Sequence, residues 1–124
     1  MADSSRKNHA FFDETFAIAT FYRPIGYRDN LISSLHVIGD GVAVANVTVE
    51  HTDLVMNLDG TAVDPTVAGG TGVWIQDTAI GTLAVTAGAP GARTSFGNQA
   101  RRMSRAKLVV TTGGRIAGWG SGLG

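Results

Sequence analysis

The stretch RAKLVVTT at residues 105–112 alternates with a period of two: Ala106, Leu108 and Val110 fall on one face, Arg105, Lys107 and Val109 on the other. That is the pattern of a half-buried β-strand, and it places a strand over Ala106 to Thr112. Working outward, Phe16 to Tyr22, Leu31 to Ile38, Val42 to Val49, Val73 to Gln76 and Ile80 to Thr86 have the same character. They are short, rich in β-branched or aromatic residues, and bounded by Gly, Asp, Asn or Pro. Such a series predicts an all-β chain, a single antiparallel β-sandwich or jelly-roll-like barrel. Gly39-Asp40-Gly41 is a tight-turn signal, so Leu31 to Val49 is expected to form a β-hairpin. Val42, Ala43, Val44 and Ala45 are apolar on both faces, which predicts cover from a second sheet or another subunit. Ala10 to Ala19 fits a helix only loosely, and Thr15 to Tyr22 alternates better as a strand.

At 124 residues the chain has room for one core. The expected division is an N-terminal arm over 1–15, a sandwich over 16–120 and a flexible tail over 121–124, the end of a Gly-rich run from Gly113 to Gly124. The chain holds 17 Gly and 3 Pro, glycine at about twice average usage, which implies many turns and few rigid ones. Asn57 to Gly72 and Ala87 to Gln99 are the two long loops, and loops of that length usually carry function or lie against a partner. The polar start, Met1 to His9, has no apolar run of a secretory leader, and no segment reaches the ~20 apolar residues of a membrane span. Synthesis and folding in a cytoplasm are expected, with no membrane partner.

Charge is balanced overall but segregated along the chain. Asp29, Asp40, Glu50, Asp53, Asp59, Asp64 and Asp77 lie in a stretch without Lys or Arg, whereas Arg93, Arg101, Arg102, Arg105, Lys107 and Arg115 follow with no acid. Basic strands neutralised by acidic neighbours inside one fold would produce this pattern. So would an acidic surface on one copy meeting a basic surface on the next, which predicts homo-oligomers. Arg101, Arg102, Arg105 and Lys107 also suggest nucleic acid, but the stacking aromatics of such sites are missing and the chain is neutral.

Chemistry finds little purchase. The chain has no Cys, hence no disulfide, thiolate metal site or cysteine nucleophile. Gly120-Ser121-Gly122 lacks the context of a nucleophile elbow, and the tail glycines lack the Lys-Ser/Thr ending of a phosphate loop. His9, His36 and His51 have no ligand spacing, although His51 and Asp53 share a face if the strand runs through them. Asn57-Leu58-Asp59-Gly60 has the look of the middle of a calcium loop without its closing Glu, so an Asp-Gly turn is the simpler account. Glu50, Asp53, Asp59 and Asp64 offer carboxylates without a pocket. No catalytic residue, metal or cofactor is expected, and the chain is read as a non-enzyme. Trp74, between Val73 and Ile75, is expected in the core; Trp119, flanked by glycines, must pack on distant residues or on a neighbouring subunit.

Val47-Thr48-Val49-Glu50, an Asp-Gly turn, Trp74 after a Gly-rich loop, Arg101-Arg102 leading into Lys107 to Gly114, and a Gly-Trp-Gly end together resemble small β-sandwich structural proteins of tailed bacteriophages, the head decoration or cement proteins and related tail components. The resemblance spans Val42 to Gly120 and is one of texture. It implies a virion protein present in many copies, contacting the major capsid protein or other virion proteins, with no catalytic residues to carry over. Contact is then expected through Arg101, Arg102, Arg105, Lys107, Arg115 and Trp119. The alternative expectation is a carbohydrate or host-surface module of a tail spike or fibre, for which Trp74, Gln76 and Asp77 are the best available set.

Overall fold

The computed structural model describes residues 6–27, 31–32, 34–95 and 102–123, and among them every regular element is a strand. The strands are β1 (Arg6–Phe16), β2 (Thr20–Tyr27), β3 (Leu31–Ile32), β4 (Ser34–Gly39), β5 (Val44–Thr52), β6 (Ile75–Gln76), β7 (Leu83–Val85), β8 (Gly91–Ser95), β9 (Met103–Thr112) and β10 (Gly114–Leu123). Two five-stranded antiparallel sheets face each other. The first runs β1-β10-β4-β8 with β3 beside β10, the second β2-β9-β5-β6 with β7 also on β5.

The pairing explains the order. Setting aside the two-residue strands β3 and β6, each strand of the first half of the chain pairs with its mirror image in the second: β1 with β10, β2 with β9, β4 with β8, β5 with β7. The chain is one long double ribbon, folded back at the β5–β7 connection and rolled so that successive strands alternate between sheets. That arrangement is a jelly roll, which protects most strand edges by rolling one sheet over the other. The core lies between the sheets, with Phe12, Phe16, Leu35, Val37 and Ile116 from the first, and Ala45, Val47, Val49, Val85, Ala106, Leu108 and Val110 from the second.

Several expectations are revised here. Leu31 to Val49 is not a hairpin: β4 and β5 belong to different sheets, and Gly39-Asp40-Gly41 carries the chain across between them. Burying Leu35 and Val37 on one sheet and Val47 and Val49 on the other requires this crossing, and a hairpin would put all four in a single sheet. Val42 is exposed and Val44 half-buried, so only one face of that segment is covered. Phe16 to Tyr22 straddles the β1–β2 corner, and the Ala87 to Gln99 loop contains β8. The Gly-rich end is strand β10, paired on both sides, and most of the expected N-terminal arm is its neighbour β1.

The pairing of β1 with β10 has a steric cause. A bulge between Ala10 and Phe12 brings Phe11 and Phe12 onto the inner side, where their rings lie over Gly120 and Gly118. A Cβ on Gly120 would sit 2.6 Å from the Phe11 ring and 2.5 Å from the Ser34 carbonyl oxygen, and one on Gly118 would clash with the Phe12 ring. The glycines leave the space that the phenylalanines fill, the aromatic-over-glycine pairing that secures strands in barrels.

One carboxylate ties two crossings together. Asp40 Oδ1 accepts from the N–H groups of Val42 and Ala43 at 2.9 Å each, and Oδ2 accepts from that of Arg115 at 2.9 Å, where the chain passes from β9 in the second sheet to β10 in the first. The Ala43 bond contributes most, then those of Arg115 and Val42, and together they hold the Asp40 carboxyl at about 2. The fold thus favours the ionised form. Its stabilisation is complete above about pH 4, where the unfolded chain is ionised too, and is lost as pH falls toward about 2. Asp40→Asn leaves one acceptor oxygen for three donors, and should unfold at lower urea than wild type near pH 7 with the gap closing on acidification. A gap unchanged down to about pH 2 would show that the charge does not hold the crossings.

Candidate assembly surfaces

Among the described residues, no segment is seen to cover the outer face of the first sheet. Register aligns Ala10, Trp119, His36 and Arg93 in one row across β1, β10, β4 and β8. On one side of this row the Ser34 and Ser121 hydroxyls hydrogen-bond at 2.9 Å, and on the other lie Asp13, Ala117 and Ile38. Trp119 is 44% exposed and Ile38 49%. Two shallow hollows, of about 320 Å³ and 400 Å³, meet at the Trp119 ring. Small Ala10 and Ala117 beside it leave the indole uncovered. Arg93 donates from Nη1 to Ser95 Oγ at 3.1 Å and has no acidic partner among the described residues. Arg115, at the far end of the face, grips Asp13 through two 2.8 Å bonds, which hold the Asp13 carboxyl below its ordinary range.

The end of the second sheet's outer face around Arg105 is covered by the chain's own β5–β6 connection, and Arg105 is the reason. Period two does point it outward, but it is only 1% exposed. Its Nε donates to Glu50 Oε1 at 2.7 Å, directly across the β5–β9 pair, its Nη1 to the Val67 carbonyl and its Nη2 to that of Ala68 at 3.0 Å. The guanidinium lies between the Tyr22 and Trp74 rings, 4.1 Å from each centroid. Trp74 is buried at 9%, as expected, yet its main neighbour is a cation, with Val73, Met103 and Val63 completing a small second cluster.

The expected contact residues therefore do not form one basic surface. Trp119 shares its face with Arg93 and, in an ion pair, with Arg115. Arg105 is sealed inside and reaches no partner. Arg102 donates its backbone N–H to Asp53 Oδ1 at 3.1 Å and its Nη1 to the Leu54 carbonyl at 3.3 Å, and Lys107 lies half-buried in register with Tyr22 and Thr48. Arg101 lies outside the described residues. Part of the charge segregation is paired within the fold, through Glu50 with Arg105.

Two features escaped the sequence. His51 does not meet Asp53 in a site: its Nδ1 lies 2.7 Å from Ser104 Oγ and its Nε2 2.9 Å from Asp77 Oδ2. Burial pushes the Asp77 carboxyl up, but the His51 and Ile80 N–H bonds outweigh it and hold it below its ordinary range. A serine, a histidine and an aspartate in line invite comparison with a hydrolase triad. Ser104, however, is fully buried and lies on Nδ1, so its oxygen meets no substrate, and the chain of bonds acts as a strut joining β9, β5 and the turn after β6.

The second feature is an apolar hairpin between β5 and β6. Met56 pairs with Ala62, the Val63 N–H donates to the Val55 carbonyl at 3.1 Å, and the Asn57 N–H donates to the Thr61 carbonyl at 2.8 Å. The tip is the Asp-Gly turn, in which Asp59 Oδ1 accepts from the Thr61 N–H at 2.9 Å and from its hydroxyl at 2.5 Å. Leu54, Val55 and Met56 are exposed along it, and Leu58 at the tip is 102% exposed, touching nothing. The sequence places Leu58 in the 57–72 loop and its Asp-Gly turn; the exposure of Leu54, Val55 and Met56 beside it is seen only in the structure.

No protein-family model matches this chain, and no curated protein matches it. Among solved structures, chains from the infectious bursal disease virus Gx strain and Gt strain align with it at 14% identity, with TM-scores of 0.18 and 0.14. The alignments cover 96% and 97% of this chain, which spans only 37% and 39% of theirs, and likeness at this level assigns neither fold nor function.

Proposed function

We propose that this chain is a structural protein of a virus particle that works by protein–protein contact and not by catalysis. The observation that carries the reading is the jelly-roll strand order with a filled core and two apolar surfaces left outside it, around Trp119 and along the 54–63 hairpin. Jelly rolls recur in viral capsid domains and lectins, and clustered apolar side chains on a folded domain mark contact sites. The finer reading is a capsid decoration or cement protein, bound in many copies to the major capsid protein and stabilising the shell. The resemblance of Val42 to Gly120 to such phage proteins supports it, as does the size of a chain with one core. Virus particles banded on a density gradient from a culture producing this chain should contain it in many copies by quantitative mass spectrometry. Recovery only in the soluble fraction overturns the reading.

A second reading, a carbohydrate or host-surface module, draws on the same fold and on the open Trp119 ring beside Arg93, Ser34 and Ser121. It can no longer use Trp74 and Asp77, which are committed to Arg105 and His51. Saturable quenching of Trp119 fluorescence by a glycan, lost in Trp119→Phe with Trp74 emission unchanged, would favour it.

A further inference from the structure

We propose that copies of this chain join head to tail, the 54–63 hairpin of one copy seating on the Trp119 face of the next. The inference rests on the assembly reading above and names its contact. The hairpin and the face match at two adjacent points. On the hairpin, Leu58 projects fully into solvent with the acid Asp59 beside it, and Asp59 has no ion pair among the described residues. On the face, the hollow bounded by Trp119, His36 and Ile38 is also lined by Arg93, a cation with no acidic partner among the described residues. An apolar side chain next to an acid thus meets the Trp119 ring and Ile38 in a hollow that the base Arg93 also lines, the complementarity that sets register between chains.

Rigidity and position strengthen the match. The hairpin tip is held by its own hydrogen bonds, with Asn57 Nδ2 within 3.1–3.3 Å of the Thr61 hydroxyl and of the Thr61 and Ala62 carbonyls, so little freedom remains to lose on binding. Tryptophan and arginine are also the residues that most often dominate interface energies. Val63, at the hairpin's foot, packs on Trp74, Val73 and Met103 over the second sheet, whereas Trp119 faces outward from the first. The two surfaces lie on opposite sides of the sandwich, so a hairpin cannot reach the face of its own chain. A contact between different patches is heterologous, and it extends into rings or filaments.

Complementation tests this. Leu58→Glu disables the hairpin, and Trp119→Ser or Arg93→Glu disables the face; all three side chains are exposed, and far-UV circular dichroism with urea midpoints checks that each variant folds as wild type does. By light scattering across a dilution series, wild type should grow beyond its 12.9 kDa monomer mass. Each variant alone should stay monomeric at about tenfold or more above the wild-type transition. An equimolar mixture of a hairpin variant with a face variant should form a species that stops at two copies. Wild type that associates together with variants that associate equally well overturns the proposal and leaves the assembly reading standing. Monomeric variants whose mixture also stays monomeric overturn it in favour of a two-fold contact. Wild type that is monomeric at every concentration and salt overturns it, and the particle measurement then decides the assembly reading separately.

Discussion

Arg105→Ala is expected to lower the stability of the domain by about 3–5 kcal/mol, the cost of removing one member of a buried ion pair. Three losses add. Glu50, whose side chain is largely buried, is left without the guanidinium 2.7 Å away. The carbonyls of Val67 and Ala68 lose their donors under cover, and an orphaned buried acceptor costs about 1–3 kcal/mol. The gap between Tyr22 and Trp74 then removes what fixes the 67–74 segment to β9. Since a domain is stable by only about 5–15 kcal/mol, this one substitution takes a large share. Arg105→Lys should recover little, because an ammonium cannot reach Glu50 and two carbonyls as a planar fork while stacked between rings. Arg105→Met with Glu50→Gln should be milder than Arg105→Ala, since it keeps the volume and removes both charges. Urea unfolding followed by circular dichroism measures all of these. A loss under about 1 kcal/mol for Arg105→Ala, or a double variant no milder than the single, would sink the account.

Arg105 also marks the limit of what the sequence can say. Its face was readable, because the period of two over residues 105–112 sets Arg105 and Lys107 opposite Ala106, Leu108 and Val110. Its burial was not, because the cover comes from residues 67–74, and nothing local to β9 says that this loop returns. Most strands were legible in residue type, yet their partners were not: in a rolled ribbon β1 meets β10 and β2 meets β9, pairings set by distant contacts and not by neighbouring turns. Hence Gly39-Asp40-Gly41 was legible as a turn but not as a crossing, since the turn residues are the same in both. At the candidate surfaces, Trp119 was identified from its glycine flanks as a side chain with no local shelter. Of the 54–63 hairpin, the loop from Asn57 and its Asp-Gly turn were legible, but the exposure of Leu54, Val55 and Met56 was not, because exposed and buried apolar residues are spelled alike.

Gly118→Ala should destabilise the domain by about 1–3 kcal/mol, the range for forcing atoms into a packed core. The sign is the test. In a strand interior with room to spare, alanine is favoured over glycine by roughly 0.5–1 kcal/mol, so a Gly-rich end that is merely flexible would be neutral or stabilised. Here the added methyl lands on the Phe12 ring, which is buried and packed edge-on against Phe16 at 6.1 Å between centroids, with Phe16 in turn 4.9 Å from Phe21. The ring cannot swing out without moving that row. Gly120→Ala should cost at least as much, because one of the atoms it meets is the backbone oxygen of Ser34, which moves less readily than a side chain. Gly88→Ala is the control, since a Cβ there meets nothing within 4 Å. The cause is isolated by Phe12→Leu. If the clash is with that ring, Gly118→Ala should cost at least about 1 kcal/mol less in the Phe12→Leu background than in wild type, a coupling expected only of groups in contact. Equal costs in the two backgrounds, or a stabilised Gly118→Ala, would mean that β10 does not lie beneath Phe12.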